Sequence, residues 1–214
     1  MSSNSFHSYR PGDGHGLAHD PLNAIVAPRP IGWISTISAE GTANLAPYSF
    51  FNLFSYRPPI LGFSSGGEKD SLVNARATGE FVWNLVGRAQ AEAMNLTSAA
   101  VPLGIDEFEL AGLAKLPSRD VRPPRVGGSP VQFECKVTQI VRLERADRTP
   151  SDNWVVFGEA VRIHIDTAYI VDGTYQTALA TPVVRGGGLT DYFEITADRL
   201  FHMRRPGPMA GAER

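Results

Sequence analysis

Asn44-Leu-Ala-Pro-Tyr-Ser-Phe-Phe-Asn52, NLAPYSFFN, is the stretch on which the reading of this chain turns. It sets three aromatic rings and a proline between two asparagines, with one hydroxyl, Ser49, in the middle. Pro47 excludes a helix interior, and in a central strand it would remove a ladder hydrogen bond. The segment therefore reads as irregular backbone carrying Tyr48, Phe50 and Phe51. Rings on such backbone either cap a core or line a pocket for something flat.

The flanking sequence is strand-like. IGWISTIS alternates Ile31, Trp33, Ser35 and Ile37 with Gly32, Ile34, Thr36 and Ser38, then meets Ala39-Glu40-Gly41, a strand entering a hairpin turn. PPILGFSS supplies a second strand, Ile60 to Ser64, started by prolines that cannot sit deep in a sheet. SLVNARAT reads as a helix capped by Asp70 or Ser71 and ended by Gly79. FVWNLV is a strand, RAQAEAMNLT favours helix, and GIDEFELAGL suits one or two helical turns. VRPPRVGGSP reads as a connector without regular structure.

Two long strands follow. In PVQFECKV, Val131, Phe133, Cys135 and Val137 share a face. In WVVFGEAVRIHID the apolar face is Val155, Phe157, Val161, Ile163 and Ile165. The opposite face, Val156, Gly158, Ala160, Arg162 and His164, is smaller and more polar, as on a barrel wall or a subunit interface. Strands outnumber helices without alternating with them, which argues against a doubly wound parallel sheet. The expected class is mainly β, a closed or partly open antiparallel β-barrel with a few flanking helices.

At 214 residues the chain suits one domain, placed at residues 21–203. Residues 1–20, polar and rich in Gly, His and Ser, read as a flexible arm, and residues 204–214 (RRPGPMAGAER) as a disordered tail. A net charge of −2 gives no general attraction to nucleic acid or anionic membrane. No apolar run suits a secretory signal or a membrane span, so a cytoplasmic protein is expected. The single cysteine, Cys135, excludes an internal disulfide and reads as a packed core thiol.

Several chemistries are set aside by spacing. GGEKDS lacks the phosphate-loop pattern, and RGGG before Leu189 is not a dinucleotide fingerprint. The five histidines form no metal-ligand pair, so no metal site is expected, and no serine sits in a nucleophile elbow. What remains is STISAEGTANLAPYSFFN with its hydroxyls, amides and flat rings, and GEKDSLVNA with a lysine at a helix start. Helix N-termini favour anions. An apolar slot beside an anion clamp suits a flat ligand with a phosphate tail. Taken one at a time, these residues are better explained by ordinary structure: serines cap, lysine is solvated and rings pack.

Their order and wording add more. RPIGWIST, NLAPYSFFN, EKDSLVNARATGEFVWNLV and VVRGGGLTDY together resemble the flavin reductase-like family of FMN-binding split-barrel flavoproteins, over about Tyr9 to Tyr192. The resemblance implies a six-stranded antiparallel split barrel of Greek-key type, working as a homodimer with FMN at the subunit interface and FAD as the alternative flavin. By position it implies Ser35 and Thr36 beside the flavin. It places Asn44, Ala46, Pro47, Tyr48, Ser49, Phe50 and Phe51 along the ring and ribityl chain, with the Tyr48 hydroxyl free to read a substrate. Lys69, Asp70, Ser71, Asn74 and Arg76 fall at the phosphate end, and Arg185 and Tyr192 in a late flavin-proximal segment. The implied activity is NAD(P)H:flavin reductase, with an electron carrier of the flavoredoxin type or a non-catalytic FMN-binding module as alternatives. A monooxygenase or an electron-transfer protein is the implied partner. No catalytic side chain is named, because hydride transfer to flavin needs no side-chain acid or base.

Overall fold

Pro47 lies in regular structure after all. In the computed structural model, which describes residues 5–207, NLAPYSFFN is not a loop but the meeting point of two strands. Helix α1 (Leu22–Ile25) precedes β1 (Arg29–Pro30), β2 (Gly32–Ile37), β3 (Ala43–Tyr48), β4 (Phe51–Tyr56) and β5 (Pro59–Gly66). Then come α2 (Asp70–Thr78), β6 (Glu80–Asn84), α3 (Ala91–Leu96), α4 (Glu107–Leu110), and the short strands β7 (Lys115–Leu116) and β8 (Arg125–Val126). The long strands β9 (Val131–Glu144) and β10 (Pro150–Ile165) follow, and after them β11 (Ile170–Val171), β12 (Thr174–Tyr175), β13 (Val183–Arg185) and β14 (Tyr192–Glu194). Among the described residues no helix is long and apolar enough to cross a membrane.

Seven antiparallel strands form one sheet in the order β3-β2-β6-β9-β10-β5-β4, one more than the family resemblance implied. The two edge strands, β3 and β4, are joined by only Ser49 and Phe50. Opposite edges of a sheet can be linked by two residues only if the sheet curls until those edges meet. The fold is thus a mainly β split barrel, with its seam at the NLAPYSFFN turn.

The edge position is what admits Pro47, which stands opposite Trp33 of β2. Lacking an N–H, it leaves the ladder to the even-numbered residues of β3, so the odd-numbered ones aim their amides away from β2. The Leu45 amide is met there by the Glu107 carboxylate at 2.9 Å. On the other edge, β4 carries a register shift between Leu53 and Ser55, and the Asn52 side chain takes the Leu53 amide at 2.8 Å.

Strand alternation builds two cores. Inside the barrel lie Ile34, Tyr48, Phe51, Phe63, Phe81, Cys135 and Val156, closed at one side by Leu72 and Ala75 of α2. On the outer side of β2 and β3, Trp33 and Leu45 pack with Met94 of α3 and Phe108 of α4. Cys135 is fully buried, as its strand pattern predicts, and burial pushes its thiol far above the ordinary range. The α2 helix ends as expected at Gly79 (φ 72°), but its N-cap is Lys69, and neither Asp70 nor Ser71 caps it. The expected connector at 121–130 holds one short paired strand, β8.

The two faces of β10 are the reverse of the expectation. Val156 and Ala160 are buried inside the barrel, whereas Val161, Ile163 and Ile165 are 40%, 46% and 39% exposed. The interior already holds Phe63 and Phe81 edge to face at 5.5 Å, so β10 must present small residues there. A Cβ on Gly158 would lie 2.3 Å from Cε1 of Phe81 and 3.2 Å from Cβ of Cys135. On β9, Glu134 is also fully buried, taking amides from Arg119 (2.9 Å) and Asp120 (2.6 Å) and the His164 ring at 2.6 Å. Burial works against its charge, but these donors win and hold the carboxyl below its usual range.

Gly158→Ala tests the crowding directly. It is expected to destabilise the protein by about 1–3 kcal/mol through overpacking, read as a lower denaturation midpoint, because Phe81 has no room to yield.

Candidate functional site

At the seam, the Ser49–Phe50 turn faces the start of α2 and residues 97–103 across a cleft of about 540 Å³. That volume is in the range of small-molecule sites, about 300–1,000 Å³. One wall is Asn44 with residues 46–50, and the other is Lys69, Asp70 and Ser71. The sequence-predicted loop and the predicted phosphate end therefore do come together. Phe50 is the exposed ring at the turn, 58% accessible.

Thr36, Ser35, Asn74 and Phe51 lie behind the cleft and do not line it. Thr36 lies below the floor, its Oγ1 accepting from the Asn44 amide at 3.0 Å and the Asn74 amide at 3.1 Å. Asn44 also donates to Ser71 Oγ at 2.9 Å, tying β3 to the first turn of α2. Ser35 is fully buried, and its hydroxyl has no partner in the structure. Phe51 is a core ring stacked on Trp83 at 5.5 Å. Tyr48 is buried against Phe63 at 4.8 Å, with the Ser71 and Ser65 hydroxyls beside its phenol. Burial raises its pKa, and the ring also forms part of the cleft lining.

Three predicted residues are placed elsewhere. Arg76 pairs with Glu68 at 2.7 Å and covers Trp154 at 4.9 Å, so it is engaged away from the cleft. Arg185 covers Tyr192 at 4.7 Å on β13 and β14, where Tyr192 lines a separate cavity of about 440 Å³ with Arg88 and Met94. Arg185 stands opposite Arg29 in the β1–β13 ladder, and the Arg29 guanidinium sits 5.6 Å from the Phe50 ring. Arg29 is buried, held by the carbonyls of Asn23 and Gly186. Burial and the neighbouring Arg185 both work against its charge.

Sequence reasoning missed Arg29, Asn153 and Glu107. Asn153 lines the cleft opposite Gly66 on β5. Glu107 is 5% exposed and lines the same wall, in the first turn of α4, whose N-cap Asp106 accepts the Phe108 amide. An acid in a helix first turn ordinarily signals only a solvated, dipole-favoured position, so nothing in the local sequence marked Glu107 as buried.

The electrostatics at the other end favour an anion. The N-terminus of α2 has no side-chain cap hydrogen bond, and its N-cap is the exposed Lys69. The first amides of a helix need partners from outside, and here no side chain supplies one. On this nine-residue helix those amides and the Lys69 ammonium are the groups that an anion would meet, beside the Asp70 carboxyl.

Sequence comparison bears on the same residues: the flavin reductase like domain matches residues 26–178. The chain belongs to the flavin reductase-like family. It is 40% identical over 147 residues to an uncharacterised protein of Aquifex aeolicus, covering 66% of this chain and 71% of that protein. Among solved structures it is similar to nitrilotriacetate monooxygenase component B from Bacillus cereus, at 27% identity and a TM-score of 0.83, over 94% of this chain and all of that one. It is likewise similar to Pseudomonas fluorescens 2-nitrobenzoate 2-nitroreductase NbaA, at 31% identity and a TM-score of 0.76, over 89% and 92%. Membership makes a flavin the ligand to test against the geometry. The residues fit one: the exposed Phe50 ring and Pro47 offer a flat apolar wall, and Lys69 with the uncapped start of α2 suits a phosphate.

The Asn44 amide is the tie between the cleft's two walls. Asn44→Ala is expected to cost about 1–3 kcal/mol by removing the donor to the buried Ser71 hydroxyl and one of the two donors to Thr36, measured as a shift in urea midpoint.

Proposed function

We propose that this chain is an FMN-dependent oxidoreductase that passes hydride from NAD(P)H to flavin. The observation that carries the reading is the single cleft in which the aromatic turn at 46–50 meets Lys69 and the uncapped start of α2. When bound, FMN supplies the hydride chemistry itself. The chain's part is to bind and orient. Lys69 and the α2 amides would hold the phosphate, Pro47 stiffens the apolar wall, and Phe50 would border the ring. Pre-organisation of this kind limits the ordering cost of binding. A monooxygenase or an electron-transfer protein would be the partner that takes up the reducing equivalents.

A homodimer belongs to the same proposal, but on a different face from the one the sequence suggested. The small-residue face of β10 is core, so the exposed Val161, Ile163 and Ile165 supply the apolar surface for a symmetric partner. Light scattering is expected to give twice the monomer mass. A monomer with flavin bound would reject this face as an interface.

The decisive measurement is flavin binding. The protein is expected to quench FMN fluorescence saturably at micromolar concentration and to oxidise NADH or NADPH when FMN is present. A charge-assisted hydrogen bond is worth about 1.5–3 kcal/mol, so Lys69→Ala is expected to weaken FMN about 10- to 150-fold. Riboflavin, without the phosphate, is expected to bind both forms alike. Equal loss of both ligands would make Lys69 a structural residue and remove the anion clamp.

A further inference from the structure

The charges lining the cleft are unbalanced for a phosphate ligand. Lys69 is the one cationic side chain among the described lining residues, and the same lining holds two carboxyl groups, Asp70 and Glu107. The two acids differ in setting. Asp70 is half-buried at the start of α2 and accepts the Gly104 amide at 3.3 Å. Glu107 is 5% exposed, and its Oε2 accepts the Leu45 amide at 2.9 Å on the free edge of β3.

The groups facing Glu107 come from every element around it. Asp70 of α2 and Asp106 at the start of α4 both repel its charge, and Asp106 is itself engaged by Lys115 of β7. Glu109 of α4 pairs with the same lysine at 3.4 Å. Tyr48 of β3 is a neutral phenol whose own pKa is raised by burial. Residues 97–101 and Leu103 bring no charge to the wall. Burial raises the Glu107 carboxyl above its ordinary range, and the Leu45 amide offsets only part of that.

We propose that Glu107 sets the preference of this cleft for a phosphate-bearing ligand. As a neutral carboxyl it leaves Lys69 and the α2 amides to attract the anion, and as a carboxylate it repels that anion. The inference rests on the reading of the cleft as an FMN site. Its consequence is linkage: binding of FMN is accompanied by proton uptake at Glu107, so affinity falls as pH rises through the titration of that carboxyl. Unit charges within about 10 Å of each other at an effective dielectric near 20 change affinity by about tenfold, and an effect of that size is expected. The phosphate of FMN works the other way, gaining its second charge near pH 6 (about the value for phosphomonoesters) and strengthening its attraction to Lys69.

The test is a fluorescence titration of FMN and of riboflavin, from roughly pH 5.5 to 9, with wild type, Glu107→Gln and Asp70→Asn. Glutamine keeps an acceptor for the Leu45 amide, so the β3 edge stays covered. Glu107→Gln is expected to follow the phosphate titration alone and to exceed wild type by about tenfold in FMN affinity at the alkaline end. Riboflavin is expected to show little difference between the two. Asp70→Asn removes a repelling neighbour, so the fall in FMN affinity is expected at lower pH than in wild type. Parallel FMN profiles for wild type and Glu107→Gln would overturn the role of Glu107 while leaving the flavin site standing. An equal gain for riboflavin would overturn it too, by showing an effect not directed at the phosphate. Failure of all forms to bind either flavin would overturn the reading of the cleft itself and this inference with it.

Discussion

Two residues join the opposite edges of a seven-stranded sheet, and most of the architecture follows from that constraint. Because Ser49 and Phe50 are all that separate β3 from β4, the sheet has no choice but to curl. Curling brings Phe63 and Phe81 edge to face in the interior, and the closeness of Phe81 in turn requires glycine at 158. The same closure leaves a seam. Along a seam, backbone is not paired on both sides, so side chains and helix ends must complete it: α2 at one place, Glu107 at another. The cleft is what remains between them.

The cleft owes its character to a division of labour between buried and exposed groups. Thr36, Asn44, Asn74 and Ser71 satisfy one another in a small hydrogen-bonded cluster, which fixes the start of α2 against β2 and β3. Such clusters are rigid when every donor has an acceptor. Set on that base, and lining the cleft, are Lys69 at the start of α2, the Asp70 and Glu107 carboxyls, Asn153 and the exposed Phe50 ring. Arg29, held behind Phe50 by backbone carbonyls, links this turn to the late strand that carries Arg185.

Much of this was legible in the residues, and the failures have physical causes. The α2 helix and its Gly79 stop were readable because local chemistry fixes them. Lys69 beside a helix start was readable for the same reason. The faces of β10 were misread because periodicity shows that two faces differ, not which is inside. The answer depended on rings contributed by β5 and β6, distant in sequence. Pro47 was misread because a proline forbids a central strand but permits an edge, and edges are decided by topology. Glu107 was invisible because its burial comes from β3, 62 positions away along the chain.

Exposed sheet edges invite pairing with other chains, and a barrel that stays split keeps two of them. Here neither edge is open for business as a template. On β3 the Leu45 amide is already taken by Glu107, and Pro47 has no amide to offer. On β4 the Leu53 amide is turned to the Asn52 side chain, and the register shift beside it bends the strand away from a straight ladder. Strand-by-strand growth into fibres is thereby blocked at both ends. Any association between copies would then fall to side-chain faces, which a single partner can saturate.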